Sequence, residues 1–289
     1  MNLFTFIRKY KGAALDGLEE GTNSMEVVRE ARRVFRAISQ EVGGGSNPYL
    51  LTAQESSAKL THNAEFTDSM VQVVMYLAPH RLSGVLNVCP WSTAGCRSVC
   101  LHDSGRLGMS AGQTAMLART LFLAREPRLF MAVLQYEIRL HNWKAKQEGK
   151  QLVVRLNGTS DIPWEQFVPD LFSYWEDYGV QFQDYTKDGM LRSGVEQRPD
   201  WSLPHNYYLV RSVTEVTPLD RIEGSVRNVV MVANVKRGDS LPETFLGKAV
   251  IDGDKHDLRV ADPQGGRIVM VRAKGSAIRK DSKGFVRSV

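Results

Sequence analysis

The sequence predicts an α/β protein: a partial or irregular β/α barrel behind an N-terminal helical cap. Three observations carry that prediction. Short runs rich in β-branched residues recur through the second half of the chain, as in strands buried on both faces. Stretches of helical spacing separate the earlier runs, which calls for right-handed crossovers and parallel pairing. Polar residues gather just past the ends of those runs, where parallel sheets carry their sites. An open three-layer α/β sheet is the alternative assembly of the same elements.

The cap is expected over residues 1–80. A helix at 22–40 has Thr22, Asn23 or Ser24 at its cap, and Val27, Val28, Ala31, Val34, Phe35 and Ile38 at helical spacing. GGGSNP at 43–48 breaks the chain. A second helix is expected at 63–79, its apolar side made by Phe66, Met70, Val73, Val74 and Tyr76.

The β/α core is expected over residues 81–275. Val85, Leu86 and Val88 suggest a short strand leading into a cysteine loop. Helices follow at 110–125 and at 127–148, the latter opened by Pro127 and closed by Gly149. A strand at 151–156 comes next, then a helix from Pro163 to about Tyr178, ended by Gly179. Further strands are expected at 180–186, 206–213, 227–235, 247–252 and 266–274. Residues 276–289 form a basic tail with Arg279, Lys280, Lys283 and Arg287.

The composition bounds the function. Lys and Arg total 37 against 32 Asp and Glu, and the net charge of +5 leans toward a nucleic acid or nucleotide partner. No apolar run approaches the roughly 20 residues of a membrane span, so no membrane partner is expected. The start, MNLFTFIRKYKG, has too short an apolar stretch for a signal peptide. An odd, tightly clustered set of cysteines argues against a secreted disulfide framework and for the cytoplasm of a cell.

The most pointed chemistry is VLNVCPWSTAGCRSVCLH, which holds Cys89, Cys96 and Cys100, all 3 cysteines of the chain. Pro90, Gly95 and small residues let this loop curl so that the thiolates converge, with Arg97 nearby to favour their anionic state. Such a set suits an iron–sulfur cluster with one open iron, or zinc with a fourth ligand. His102, His141, His205 and His256 are candidates for that fourth place.

Three polar segments add site candidates. In VVRLNGTSDIPWE, Arg155 and Asn157 are expected on one side of a strand, Gly158 gives backbone room, and Asp161 either holds a ligand or caps the next helix. In QDYTK, Asp184 and Lys187 suggest an acid–base pair or a clamp on a polar ligand, with a loop salt bridge the plain alternative for Lys187. In DGDKHDLR and the later RAKG, Asp257, Arg259 and Lys274 suit the phosphate or sugar of a nucleotide. Phosphate-loop, dinucleotide-loop, H-E-x-x-H and G-x-S-x-G patterns are absent.

Taken together, the cysteine run, RLNGTSDIPWE, QDYTK and the DGDKHDLR–AKG segment resemble the phage gene product 88 family over roughly residues 80–280. That resemblance implies a bacteriophage or mobile-element origin and action inside a bacterial host cell. More distantly, the strand, cysteine loop and helix are similar to the opening of radical S-adenosylmethionine barrels. That similarity implies Cys89, Cys96 and Cys100 as ligands of a four-iron cluster, although the spacing C-x6-C-x3-C differs from that superfamily's C-x3-C-x2-C. A third similarity is to base-exchange transglycosylases, which implies zinc, Asp161 and Asp184 as nucleophile and base-recognition candidates, and a modified guanine placed in phage DNA. The expectations are therefore an iron–sulfur enzyme modifying a nucleotide or nucleic acid, a zinc-dependent transglycosylase, or a nucleic-acid-binding accessory protein with a structural metal.

Overall fold

The computed structural model describes residues 1–16, 24–56, 68–103, 105–187, 203–236, 238–274, 281 and 283–289. Two helices open the chain, α1 (Leu3–Asp16) and α2 (Met25–Glu41). Ser24 caps α2 by accepting from the Val27 amide at 3.3 Å. Strands β1 (Leu51–Ala53) and β2 (Met70–Met75) follow, then the short helix α3 (Ala94–Ser98). The long helices α4 (Ser110–Arg125) and α5 (Pro127–Gln147) lead to β3 (Gln151–Arg155). Next come α6 (Trp164–Phe167), α7 (Asp170–Glu176), β4 (Gln181–Thr186), β5 (Tyr207–Ser212), α8 (Leu219–Glu223) and β6 (Val229–Ala233). Three strands end the fold: β7 (Thr244–Phe245), β8 (Lys248–Asp252) and β9 (Ile268–Arg272).

All nine strands form one sheet in the order β1-β2-β3-β4-β5-β6-β9-β8-β7. The strands from β2 to β8 along that order run parallel, and β1 and β7 add antiparallel edges. The α/β class and the parallel pairing are as the sequence predicts, but the sheet is not a closed barrel. Each step from β2 to β6 moves the same way, so right-handed crossovers put the helices on one face. There Val73, Leu152, Val154, Phe182 and Leu209 pack against side chains of α1, α2, α4, α5, α6 and α7. Trp164, fully buried, stacks on Phe130 with ring centroids 6.4 Å apart. Burial of a side chain that large contributes about 2–3 kcal/mol.

Two expectations are corrected near residue 80. The helix expected at 63–79 is replaced, in its described part, by β2. Met70, Val73 and Val74 fit helical spacing and strand alternation equally well, and three valines prefer the pleat because it leaves their χ1 unstrained. The strand expected at Val85, Leu86 and Val88 is irregular loop, so β2 is the strand that precedes the cysteines. With β1 and β2 in the sheet, the β/α core begins before residue 81.

The other face of the sheet is covered by the connection from β8 to β9. The carbonyl of Asp257 accepts from the side chains of Gln183 at 2.5 Å and Gln72 at 3.4 Å. The amide of Val260 donates back to Gln183 Oε1 at 3.2 Å. Arg155 pairs with the Asp257 carboxylate at 2.8 Å and lies over the Tyr185 ring, 4.4 Å from its centroid. Burial opposes the Arg155 charge, but Asp257 together with Tyr185, Tyr76 and Asp184 outweighs it and the group's pKa rises. Arg259, 1% exposed, pairs with Asp262 at 3.1 Å. Burial pushes the Asp262 carboxyl up to about 6 against the pull of Arg259. The hollow that a partial barrel would offer a ligand is thus filled by the chain itself.

One buried carboxylate ties the helices to the sheet edge. Glu137 of α5 accepts from the amides of Leu50 at 3.0 Å and Leu51 at 2.8 Å. Burial raises its pKa from 4.5 to about 7, against those two amides. The folded state therefore holds this proton more tightly than the unfolded chain does. Stability from this group is complete below pH 4.5 and is lost as the pH climbs through 7. The span corresponds to about 3 kcal/mol. Glu137→Gln should flatten that loss, read as a smaller difference between urea midpoints at pH 5 and pH 8 than the wild type gives.

Candidate functional site

The cysteine loop leaves β2 through residues 76–88 and lies at the C-terminal ends of the parallel strands. Its first cysteine is held from two sides. The amide of His80 donates to Cys89 Sγ at 3.2 Å, and the thiol donates to the Thr159 carbonyl at 3.5 Å. His80 does this from a left-handed backbone, φ 42°, a conformation that costs a non-glycine residue roughly 1 kcal/mol or more. Trp91, in the same loop, meets Phe4 of α1 edge to face, with centroids 5.8 Å apart.

Thr93 caps α3 by accepting from the Cys96 amide at 3.1 Å. Gly95 packs so close to Glu215 that a Cβ there would lie 2.6 Å from its carboxylate. Arg97 turns back on the loop and donates to the Ser92 carbonyl. All three cysteines are free and partly buried.

The loop after β3 is fastened to this one. Thr159 Oγ1 donates to the Leu77 carbonyl at 2.6 Å, and the Asp161 amide donates to the Val88 carbonyl at 2.8 Å. Asp161 Oδ2 then accepts the Lys187 amide at 2.8 Å. The Lys187 ammonium is electrostatically coupled to the three sulfurs. Burial works against its ammonium, and Cys96, Asp161, Cys89 and Cys100 outweigh burial, so its pKa rises. Burial also dominates at the sulfurs. It raises Cys89 well above the usual thiol range, raises Cys96, and pushes Cys100 up to about 11, with Lys187 pulling each of them down. The bare thiols are therefore protonated near neutral pH, and a metal would have to displace those protons to bind.

The candidate donor set is three thiols. It is not arranged for one ion. Among the described residues, no three His, Cys, Asp or Glu side chains are grouped so that they could hold a metal ion. Of the histidines considered for a fourth place, His102 is buried and its Nδ1 has no hydrogen-bond partner among the described residues. His205 is exposed beside Glu176, His256 sits with Asp262 under the sheet, and His141 belongs to α5.

Four of the other predicted residues fall into two groups near the cysteine loop. Asp161 and Lys187 join the cysteines. Asn157 and Asp184 sit just behind them as a buried frame. Asp184 Oδ1 accepts the Asn157 amide at 2.6 Å, and its Oδ2 accepts from Tyr207 Oη at 3.1 Å. Asn157 Oδ1 accepts from Ser160 Oγ, the Ile162 amide and Trp164 Nε1, at 2.8, 3.0 and 3.2 Å. The expected Asp184–Lys187 pair is not formed, because Asp184 faces the helix layer while Lys187 lies past the strand end. Arg155 and Asn157 do not share a side either: β3 ends at Arg155, which turns under the sheet to Asp257. The room at Gly158 is taken by the chain, since a Cβ there would lie 2.6 Å from the Met75 carbonyl.

Arg259 is enclosed with Asp262, and Lys274 pairs with Asp254 at 3.1 Å. Asp254 and Asp252 also bind Arg272, at 3.1 and 2.9 Å. In the basic tail, Arg279 and Lys280 lie outside the described residues. Arg287 is turned inward and donates to the carbonyls of Thr214 and Thr217. Sequence reasoning missed His80 and Glu215. Glu215 had a usable signal, a carboxylate just past a strand end, whereas the left-handed turn at His80 had none.

A family model described as Gene product 88 matches residues 48–288, a span that includes the whole cysteine mouth. No curated protein matches the chain, and no solved structure does.

Proposed function

From a chain that belongs to the gene product 88 family, we propose an iron–sulfur enzyme that modifies a nucleotide or nucleic acid, with S-adenosylmethionine as co-substrate. The observation that carries this reading is the meeting of Cys89, Cys96 and Cys100 with Lys187 and Asp161 at the mouth of a parallel sheet. Three thiols without a fourth cysteine would leave one iron of a four-iron cluster free. When bound, such a cluster would supply one electron and an open iron for the methionine end of the co-substrate.

The chain's own residues do the rest. Lys187 offsets the negative charge of the thiolates, and Asp161 fixes the Lys187 backbone from the β3 loop. The packed connection from β8 to β9 closes the site from below, so substrate enters at the mouth. Exposed Arg81, Arg97 and Arg106 flank the cysteines in the chain, and the net charge of +5 favours a phosphate-bearing substrate. No helix among the described residues is long and apolar enough to cross a membrane.

The test is reductive cleavage of S-adenosylmethionine by iron-loaded protein under dithionite, followed by chromatography. Release of 5′-deoxyadenosine is expected. No product, together with an unchanged electron paramagnetic resonance spectrum on adding S-adenosylmethionine, contradicts the reading.

A second reading rests on His102. Its buried Nδ1, two residues past Cys100 and without a hydrogen-bond partner among the described residues, favours a Cys3His zinc site after a small rearrangement of the loop. In that case the metal is structural, and the protein is a zinc-dependent transferase or a nucleic-acid-binding accessory protein.

A further inference from the structure

The turn that follows β5 reaches across the mouth to the cysteine loop. Glu215 Oε2 accepts from Thr93 Oγ1 and Oε1 accepts from the Gly95 amide, both at 2.7 Å. Thr93 Oγ1 in turn accepts the Cys96 amide at 3.1 Å, so one carboxylate holds the first turn of α3 through two donors. Gly95 allows this approach because it has no side chain.

The turn is itself braced. The Thr214 amide donates to Thr217 Oγ1 at 3.0 Å, and the Thr217 amide donates to the Thr214 carbonyl at 3.0 Å. Arg287 donates to the carbonyls of Thr214 and Thr217, at 2.5 and 2.9 Å. Arg287 is anchored along β6, where its amide donates to the Val232 carbonyl and its carbonyl accepts the Asn234 amide, both at 2.8 Å.

We propose that Glu215 is a positioning residue for the cysteine loop, and that Arg287 at the far end of the chain sets Glu215. The cluster assignment in this proposal rests on the function proposed above, but the placing of Cys96 does not. Glu215 acts through the backbone of residues 93–96: it fixes where Cys96 stands relative to Cys89, which is held independently by His80 and Thr159. Without the carboxylate, α3 loses an acceptor for two donors and its short first turn frays. Arg287 thereby acts as a clasp for the cysteine loop.

The experiment uses full-length protein and two readouts. In iron-loaded protein, Glu215→Ala should release iron to a chelator about ten-fold faster or more, the scale of one charge-assisted hydrogen bond. Glu215→Gln keeps one accepting oxygen and should fall between the two. Arg287→Ala should shift release in the same direction without touching the loop. In metal-free protein, peptide mass analysis after brief alkylation should show Cys96 labelled faster in Glu215→Ala, with Cys89 unchanged. Thermal melts follow the fold of each variant, and Glu215→Gln keeps the comparison available if the alanine variant unfolds. If no variant binds iron but Cys96 labelling still rises, the cluster reading fails and the role of Glu215 stands. Unchanged Cys96 labelling in folded Glu215→Ala overturns the role of Glu215.

Discussion

Asn157→Ala is expected to destabilise the protein by about 3–5 kcal/mol, the cost of leaving several buried polar groups without partners. The side chain is 2% exposed. Its Oδ1 accepts from Ser160, Ile162 and Trp164, and its Nδ2 donates to the Ile162 carbonyl at 2.9 Å and to Asp184 at 3.3 Å. Alanine strands all of these groups at once, and the surrounding core is too closely packed for water to replace the amide. Asn157→Asp should be no better. It keeps the acceptor but sets a second carboxylate against Asp184 and loses the donor to Ile162. Urea denaturation reads both variants. A residue that only touched a ligand would leave the unfolding midpoint unchanged when replaced, so a wild-type midpoint in either variant refutes the framing role.

Under the proposed iron–sulfur function, serine at Cys89, Cys96 or Cys100 is expected to remove most of any bound iron, because a cluster with three protein thiolates would have no spare ligand. Cys89→Ser should be the most damaging. That sulfur joins the β2 exit at His80 to the β3 exit at Thr159, so its loss loosens the loop as well as the metal. Lys187→Ala should weaken iron retention more modestly, since it removes a counter-charge and not a ligand. Iron assay and visible absorption after anaerobic purification distinguish these cases. Equal iron in the three serine variants and the wild type would show that the cysteines are not ligands.

The parallel α/β class was legible because β3, β6 and β9 are short runs rich in valine and isoleucine, and β4 and β5 are short runs with aromatic residues, joined in β5 by leucine and valine. The first parallel strand was not. Residues 70–75 satisfy the helical and the alternating pattern together, and only pairing with β3 decides between them. Closure into a barrel was equally hidden, because it depends on strand register and twist, which periodicity does not carry.

At the site, the rule that chemistry gathers past parallel strand ends brought Asp161 and Lys187 to the cysteines. The same rule grouped Arg155, Asp184 and Asp257 with them, although those side chains are spent on holding the sheet and its inner covering together. Sequence position alone does not say which face of a strand a polar residue takes once the chain bends, as it does after Arg155. It also does not reveal a partner more than a hundred residues away, which is how Glu215 escaped notice beside Thr93 and Gly95.

In the proposed function the three cysteines at the strand mouth hold an iron–sulfur cluster. Metal and sulfide content after anaerobic purification tests it most directly. The account predicts a brown protein with about four irons and about as many sulfides per chain. A colourless protein that carries zinc alone under the same conditions would contradict it.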